Sequence, residues 1–334
     1  MASIKIEAYE GISTVSRARS GSNVATIIVS ASHGLITGDT VTISGMSGTG
    51  YNATSVSVTV VNSTTFTYSN TGSSEGTTGD TGGSVFPNFT LPYSPNTVEM
   101  VMGKFMDKRD LPYSFAFMGF TSAVKSSINI TLNGHFDGST KNTNYRSLVK
   151  RINSPTLLKL YFQEDYNKFY LCTGANVQKV PTGARPLHVD YVASFFSPFG
   201  LLFDATQKSG LLNSSELNAG DMITPIEKIT GEVALGVDVT IKDKNNNGFT
   251  FDPTATGTMV YSIIKVISDD NTVYIAEYAY VLTGTTKEFI KNASTSGDLY
   301  LKLNPGESLN DIFTAENITG ITPTFYFRNG WASD

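Results

Sequence analysis

The stretch Ile128-Asn129-Ile130-Thr131-Leu132 opens the segment whose reading decides the fold. Ile128, Ile130 and Leu132 alternate with polar residues, which predicts a strand with one buried face. Asn133 to Asn142 is polar and is expected to be a loop. Tyr145, Leu148, Val149 and Ile152 then recur at i, i+3, i+4 and i+7, so one face of a helix is apolar. That helix is expected from about Thr143 to Asn153, with Pro155 as its stop. Leu157–Phe162 and Lys168–Thr173 read as two strands joined by a turn at Asp165-Tyr166-Asn167. The segment closes on Leu187–Gly200, where Val189, Tyr191, Ala193 and Phe195 share a strand face and Pro198 ends the pairing.

The rest of the chain sets the frame. Its 334 residues suggest two or three domains. Hydrophobic residues at 40% suffice for ordinary cores, while charged residues at 16% fall below the usual figure of about a quarter. Ser, Thr, Asn and Gly fill the difference, and such side chains favour turns and strand surfaces over long helices. A mainly β protein follows. The net charge is -5, and the basic pairs Lys108-Arg109 and Lys150-Arg151 stand alone, which argues against a nucleic-acid-binding surface. Each pair reads as a solvated loop or helix end. Cys172 is the one cysteine, so no disulfide within the chain and no Cys-rich metal site is expected. Its apolar strand suits a buried free thiol. The first residues lack a signal-peptide core and no stretch approaches a membrane span, so a soluble protein made in a cytoplasm is expected.

Met1 to Val15 reads as a short strand, Ile4–Tyr9, and then a loop. From Gly21 to Val85 the chain is nearly free of charge and crowded with Ser, Thr and Gly. Strands are expected at Ala25–Ser30, Thr40–Ser44, Thr54–Val61 and Thr65–Tyr68, with turns at Gly38-Asp39 and Asn62-Ser63. Gly21-Ser22-Asn23 and Gly82-Gly83-Ser84 read as flexible ends, which makes 21–85 an inserted module. Phe86–Pro95 is Pro-rich and is expected to be an extended arm, not an inner strand. Thr97–Met106 reads as a strand before a turn at Asp107–Asp110. Residues 204–221 read as a polar linker. Strands are then expected at Val237–Ile241, Thr258–Ile267, Thr272–Leu282, Leu299–Leu303 and Thr322–Phe327, with a turn at Asp269-Asp270-Asn271. Short strands at this spacing predict a C-terminal sandwich over 222–334.

Ile128–Gly134, Tyr145–Ile152, Leu157–Thr173 and Val189–Phe199, taken in that order, resemble the N-terminal domain of the distal tail proteins of long-tailed bacteriophages. In that family a Gly-containing strand leads to a polar loop, one helix, a hairpin with a charged turn, and a strand closing near a Pro-aromatic pair. His33-Gly34-Leu35, Thr37-Gly38-Asp39, Val41, Ile43-Ser44-Gly45, Gly50-Tyr51-Asn52 and Thr64–Tyr68 resemble a small β-barrel module scattered through phage structural proteins. Leu303–Leu309 and Thr324–Trp331 are similar to the C-terminal sandwich of larger distal tail proteins. The resemblance implies a mainly β chain with a ring-forming α+β domain (1–20 plus 86–203, one principal helix), an inserted small β-barrel (21–85), a linker (204–221) and a C-terminal β-sandwich (222–334). It also implies a structural virion protein at the tail tip. There it would form a ring, of six subunits in that family, between tail tube protein and tail hub protein. DNA would pass through the channel without specific binding, and the outer domains would face receptor-binding proteins or host glycans.

Motifs that could carry chemistry are few. Gly72-Ser73-Ser74-Glu75-Gly76 matches the G-x-S-x-G pattern, but that elbow needs a following helix and a Gly-rich run follows instead. Gly48–Ala53 fits a loose dinucleotide pattern, yet β-branched residues follow it and supply no helix N-terminus for a pyrophosphate. Asp243, Asn245 and Asn247 take alternate positions of a calcium loop with Gly248 at the turn, but Thr254 stands where a bidentate Glu belongs. A hairpin tip explains the same letters. His33, His135 and His188 share no ligand spacing. Phe195, Phe196, Phe199 and Phe203, with Leu201 and Leu202, read as core or as a subunit interface. No catalytic, cofactor-binding or metal-binding residue is expected, and no cofactor. The rival readings are a carbohydrate-binding adhesin, an enzyme of the tail, and a tube or collar protein.

Overall fold

The computed structural model describes residues 4–48, 50–93, 95–102, 128–154, 157–162, 167–180, 188–197, 199–212, 214–266, 273–284, 286–290, 294–296 and 301–332. The expected turns at 107–110, 165–166 and 269–271, the pair 108–109 and the two stop prolines at 155 and 198 lie outside them. The fold is mainly β, and the chain divides into two compact units. The first comprises Met1–Val101, Asn129–Tyr166 and Leu171–Ser197.

Nine strands lead the first unit: β1 Lys5–Ala8, β2 Ile12–Arg19, β3 Val24–Val29, β4 Thr40–Ser44, β5 Ala53–Asn62, β6 Thr65–Ser69, β7 Glu75–Gly79, β8 Ser84–Thr90 and β9 Thr97–Met102. Strands β2, β3, β6, β5, β4 and β8 pair in that order, all antiparallel, and β8 returns to β2. The pairing closes a barrel, which removes its sheet edges. Its core is Ala25, Ile27, Val29, Leu35, Val41, Ile43, Met46, Tyr51, Val58, Phe66, Tyr68 and Val85. The residues 21–85 supply β3 to β6, while β2 lies before this range and β8 runs past its end. Strand pairing thus crosses residues 20 and 86.

Three expectations differ here. The loop expected up to Val15 is, from Ile12 on, part of a strand that runs to Arg19. It hides from a hydropathy reading because Thr14, Ser16, Arg17 and Arg19 are among its buried residues. Gly83 is not a free linker, since its carbonyl accepts the Thr14 amide at 2.9 Å. Phe86–Thr90 is not an arm but part of an inner strand flanked by β4 on one side and by β2 and β1 on the other. Pro87 is tolerated because β2 pairs with residues 84–85 and β1 with residues 88–90. On that flank no described strand residue is paired with Pro87 to miss its N–H.

The strands β10 Ile128–Asp137, β11 Leu158–Tyr161, β12 Lys168–Val180 and β13 His188–Ser197 and the helix α1 Lys141–Ile152 complete the unit. The sheet continues from β8 in the order β1, β11, β12, β13, β10, β9, and α1 packs on β1, β8 and β13. Helix α1 buries Leu148 and Ile152 as the periodicity predicts. Val189, Tyr191, Ala193 and Phe195 are all buried. The polar loop expected from Asn133 is strand up to Asp137. Gly134 interrupts the apolar alternation, but a Cβ there would lie 2.6 Å from Tyr191 Oη. The glycine makes room for Tyr191, whose ring stacks on Phe136 at 4.7 Å.

The second unit comprises Met102–Ile128, Asn167–Tyr170 and Pro198–Asp334. Its strands are β14 Leu202–Asp204, β15 Lys208–Leu211, β16 Thr224–Val233, β17 Val239–Lys242, β18 Gly248–Phe251, β19 Gly257–Val266, β20 Val273–Thr283, β21 Thr286–Phe289, β22 Ser294–Ser296, β23 Lys302–Leu303, β24 Ile318–Thr319, β25 Thr324–Phe327 and β26 Gly330–Trp331. One sheet runs β15-β25-β16-β19-β20-β21, with β23 also on β16; a second runs β22-β18-β17-β24. Phe249 of the second stacks on Tyr261 of the first at 5.1 Å, in the manner of a sandwich. Strand β14 ends at Asp204 and β15 lies wholly within 204–221, the range that the sequence predicts to be a linker. The polar letters Lys208-Ser209-Gly210-Leu211 conceal an edge strand paired to β25.

Candidate functional site

The motifs singled out in the sequence resolve into structure-making contacts. Ser74 Oγ donates to the Arg19 carbonyl at 3.3 Å, and strand β7, not a helix, follows it. Gly48 opens no phosphate cradle. A Cβ on it would meet Arg17 Nε at 2.0 Å, so the residue is small to let the guanidinium pass. Asp243 closes its own hairpin: Oδ1 accepts the amides of Asn245 and Asn247 at 2.8 and 2.9 Å, and Oδ2 accepts Asn247 Nδ2 at 2.9 Å. Its carboxylate is thus already occupied. Among the described residues no group of three or more His, Cys, Asp and Glu is placed to hold a metal ion.

The histidines do not converge. Buried His33 accepts the Leu35 amide on Nδ1 at 3.0 Å and meets Phe66 edge to face. His135 and His188 do meet, on adjacent strands, with ring centroids 6.1 Å apart, and His135 Nε2 lies 3.2 Å from Asp137. Cys172 is buried, and burial raises its thiol pKa. Phe195, Phe199, Leu201, Leu202 and Phe203 are core residues. Among the described residues no helix is long and apolar enough to cross a membrane.

Among the described residues there are three charged clusters that the sequence did not announce. In the barrel, Arg17 binds Asp80 at 2.6 Å and Glu75 at 3.0 Å. Asp80 also accepts the amides of Ser47 and Gly48 at 3.0 and 3.4 Å. Burial pushes Asp80 toward its neutral form, but these donors outweigh it and hold the carboxyl below its ordinary value. Tyr51 lies under both Arg17 and Arg19, with guanidinium carbons 5.2 and 4.2 Å from its ring centre. Tyr68 donates to the Tyr51 carbonyl at 2.6 Å, and burial pushes its pKa up to about 12.

A second cluster lies across β1, β4, β8 and β11. Lys5 Nζ stands 2.5 Å from Glu7 and Lys159 Nζ 3.6 Å from the same carboxylate. Thr42 donates to Glu7 at 2.8 Å and accepts Asn88 Nδ2 at 2.9 Å. Lys5 faces the ring of Tyr161, and Lys159 faces those of Tyr9 and Phe86. Burial raises the Glu7 pKa, but the charges of Lys159 and Lys5 with the hydrogen bonds bring it below its ordinary value. The pair Lys150-Arg151 belongs to this neighbourhood and is no solvated helix end. Lys150 binds Asp39 at 2.6 Å. Arg151 is buried, which lowers its pKa to about 10 against the opposing charges of Asp39 and Glu7.

The third cluster is in the second unit. Asp204 accepts Trp331 Nε1 at 2.7 Å and Asn329 Nδ2 at 2.6 Å. Arg328 binds Glu227 at 3.2 Å and donates to the carbonyls of Asp204 and Ala205. Lys168 lies over the Trp331 ring. Trp331 is a clasp in this arrangement, its polar edge and one face both engaged. Pairs separated by more than a hundred residues, such as Asp204–Trp331, leave no local sequence signal.

No family model matches the chain, and no curated protein matches it. Among solved structures it is similar to the SPP1 Dit protein, described as a paradigm of the hub adsorption apparatus in phages infecting Gram-positive bacteria. The identity is 12% and the TM-score 0.37, over 71% of this chain and 92% of that one.

Proposed function

We propose that the chain is a structural protein of a bacteriophage tail, assembling as a closed ring, six subunits in the family it resembles, at the tail tip. The observation that carries the reading is the order of elements in the first unit. Strand, helix, hairpin and strand, the sequence pattern that resembles distal tail proteins, come together as β10, α1, β11–β12 and β13 of a single sheet with the helix against it. The barrel letters of the phage structural module also fold as a barrel. The charged clusters support a role in assembly rather than catalysis, because their donors and acceptors serve to join strands and loops.

A ring needs one patch of each subunit to meet a different patch of its neighbour at a fixed angle. Strand β9 suits one such patch. It ends the sheet among the described strands, and Val98 and Met100 are 41% and 44% exposed. The ring-forming part would be the sheet β1, β11, β12, β13, β10, β9, with the barrel and the second unit as outer parts. The partners in this reading are further copies of the chain, the tail tube and hub proteins, and receptor-binding proteins. The site of action is the virion after synthesis in the host cytoplasm, and DNA passes the channel without specific contact.

Negative-stain imaging and light scattering of the full chain test the proposal. Closed rings of uniform subunit number are expected. A monodisperse monomer would overturn the ring, and selective binding on a glycan array by that monomer would favour the adhesin reading.

A further inference from the structure

The cluster on β1, β4, β8 and β11 has a composition that ion pairing does not require. Lys5, Glu7 and Asn88 are 3%, 4% and 3% exposed. Glu7 stands opposite Asn88 across the β1–β8 ladder, and Lys5 stands opposite Thr90, two residues further along the same face. Such diagonal positions have Cβ atoms about 7 to 8 Å apart, a gap that the four-carbon lysine stem can cross. Lys5 Nζ is 3.4 Å from Thr42 Oγ1, and Asn88 Nδ2 is 2.9 Å from the same oxygen, so amine and carboxamide share one bridging hydroxyl. The other amide atom, Asn88 Oδ1, is buried and accepts no hydrogen bond among the described residues. The carboxamide is thus held through its nitrogen alone among the described residues.

We propose that Lys5 and Asn88 join in an intramolecular isopeptide bond, with Glu7 as the proton carrier. Glu7, 2.5 Å from Nζ, accepts a proton from the Lys5 ammonium. The freed Nζ attacks Cγ of Asn88 and forms the C–N bond. A second proton passes from Nζ to Nδ2 as the Cγ–Nδ2 bond breaks. Ammonia leaves and takes the proton from Glu7 as ammonium, so the carboxylate is regenerated and no oxidant or further reactant is consumed. The fold supplies what aminolysis of an unactivated amide lacks in water: two reactants held in one place, and little water to compete. Against burial, Lys159 and Lys5 hold the Glu7 pKa below its ordinary value, so the carboxylate is charged and keeps the proton only until ammonia carries it away. The rings of Tyr161 and Phe86 beside Lys5 and Lys159 keep the site apolar. The bond would tie the first strand of the unit to the last strand of the barrel.

The test is the intact mass of the denatured full chain, followed by peptide mapping. The expected mass is one ammonia below that of the sequence, with the peptide holding Lys5 joined to the one holding Asn88 and no tryptic cut after Lys5. A mass equal to that of the sequence overturns the proposal. Lys5→Arg and Asn88→Ser are each expected to restore the full mass, while Lys159→Arg keeps the loss. A loss that persists in Lys5→Arg, maps to Lys159, or is cleaved by hydroxylamine as a succinimide at Asn133-Gly134 or Asn247-Gly248 also overturns it. If a variant fails to fold, the linked peptide in the wild-type map decides alone.

Discussion

Asp80 and Asp204 do similar work in different surroundings. Each is the acceptor at the centre of a clasp, Asp80 for Arg17, Ser47 and Gly48 in the barrel, Asp204 for Trp331 and Asn329 in the second unit. Asp80 is buried, whereas Asp204 and Trp331 keep partial access to water. The chemistry is shared, and the difference lies in what the donors can do if the carboxylate is lost. Around Asp80 the guanidinium of Arg17 would keep only Glu75 as a carboxylate partner, and the buried Gly48 amide would lose its acceptor. Around Asp204 the indole N–H of half-buried Trp331 can turn to solvent, while Asn329 stays anchored through its Oδ1 to the Ala219 amide. Burial, more than the number of hydrogen bonds, should therefore set the cost of removal.

Asp80→Ala is the sharpest way to break this comparison. Removing one partner of a buried pair costs on the order of 3 kcal/mol or more. Urea unfolding followed by circular dichroism should show a clear drop in midpoint. Gly134→Ala comes next, at about 1 to 3 kcal/mol, the usual range for overpacking, because its Cβ would press on Tyr191 Oη at 2.6 Å. Asp204→Ala should cost about 1 kcal/mol, the low end for an unmade hydrogen bond. Trp331 is the one tryptophan and lies in the second unit, so its emission reports this site directly. A redder emission with a small midpoint shift is expected; a loss as large as that of Asp80→Ala would show that burial does not separate the two clasps.

What could be read in the sequence follows the same division. Periodic apolar faces were legible: α1 from Tyr145, Leu148, Val149 and Ile152, and β13 from Val189 to Phe195. Elements whose buried faces are polar were not. Strand β2 turns Thr14, Ser16, Arg17 and Arg19 inward, and its partners β3, β7 and β8 are separate segments. Only the closed barrel buries those residues. Pro87 misled for a related reason, since a proline fits an inner strand where one flank lacks a partner, and that gap is a tertiary fact. The charged clusters were hidden by distance along the chain: Arg17 and Asp80 are 63 residues apart. The calcium-like letters at Asp243 were legible as a hairpin tip, because an Asx turn needs only neighbours.

The smallest expected effect concerns pH and refines the account of Asp80. Its folded pKa lies below the ordinary value of 3.8, and that of Glu7 below 4.5; in both cases burial opposes the shift and polar or charged partners outweigh it. An acid with a depressed folded pKa binds fewer protons in the folded state than in the unfolded state within that window. Its stabilising contribution is complete above the ordinary value and is lost as pH falls through the folded one. The Tm of the wild type should therefore decline on going from about pH 5 toward pH 3. Asp80→Asn keeps the shape of the side chain but has no proton to gain, so the Asp80 part of that decline should be missing. The variant is expected to melt below the wild type at the upper pH, with the gap narrowing as the wild-type carboxylate is protonated. Scanning calorimetry of the two chains at matched ionic strength measures the gap directly. A gap that stays constant or widens toward low pH would mean that the charge of Asp80 does not stabilise the barrel, and that its value lies in shape alone.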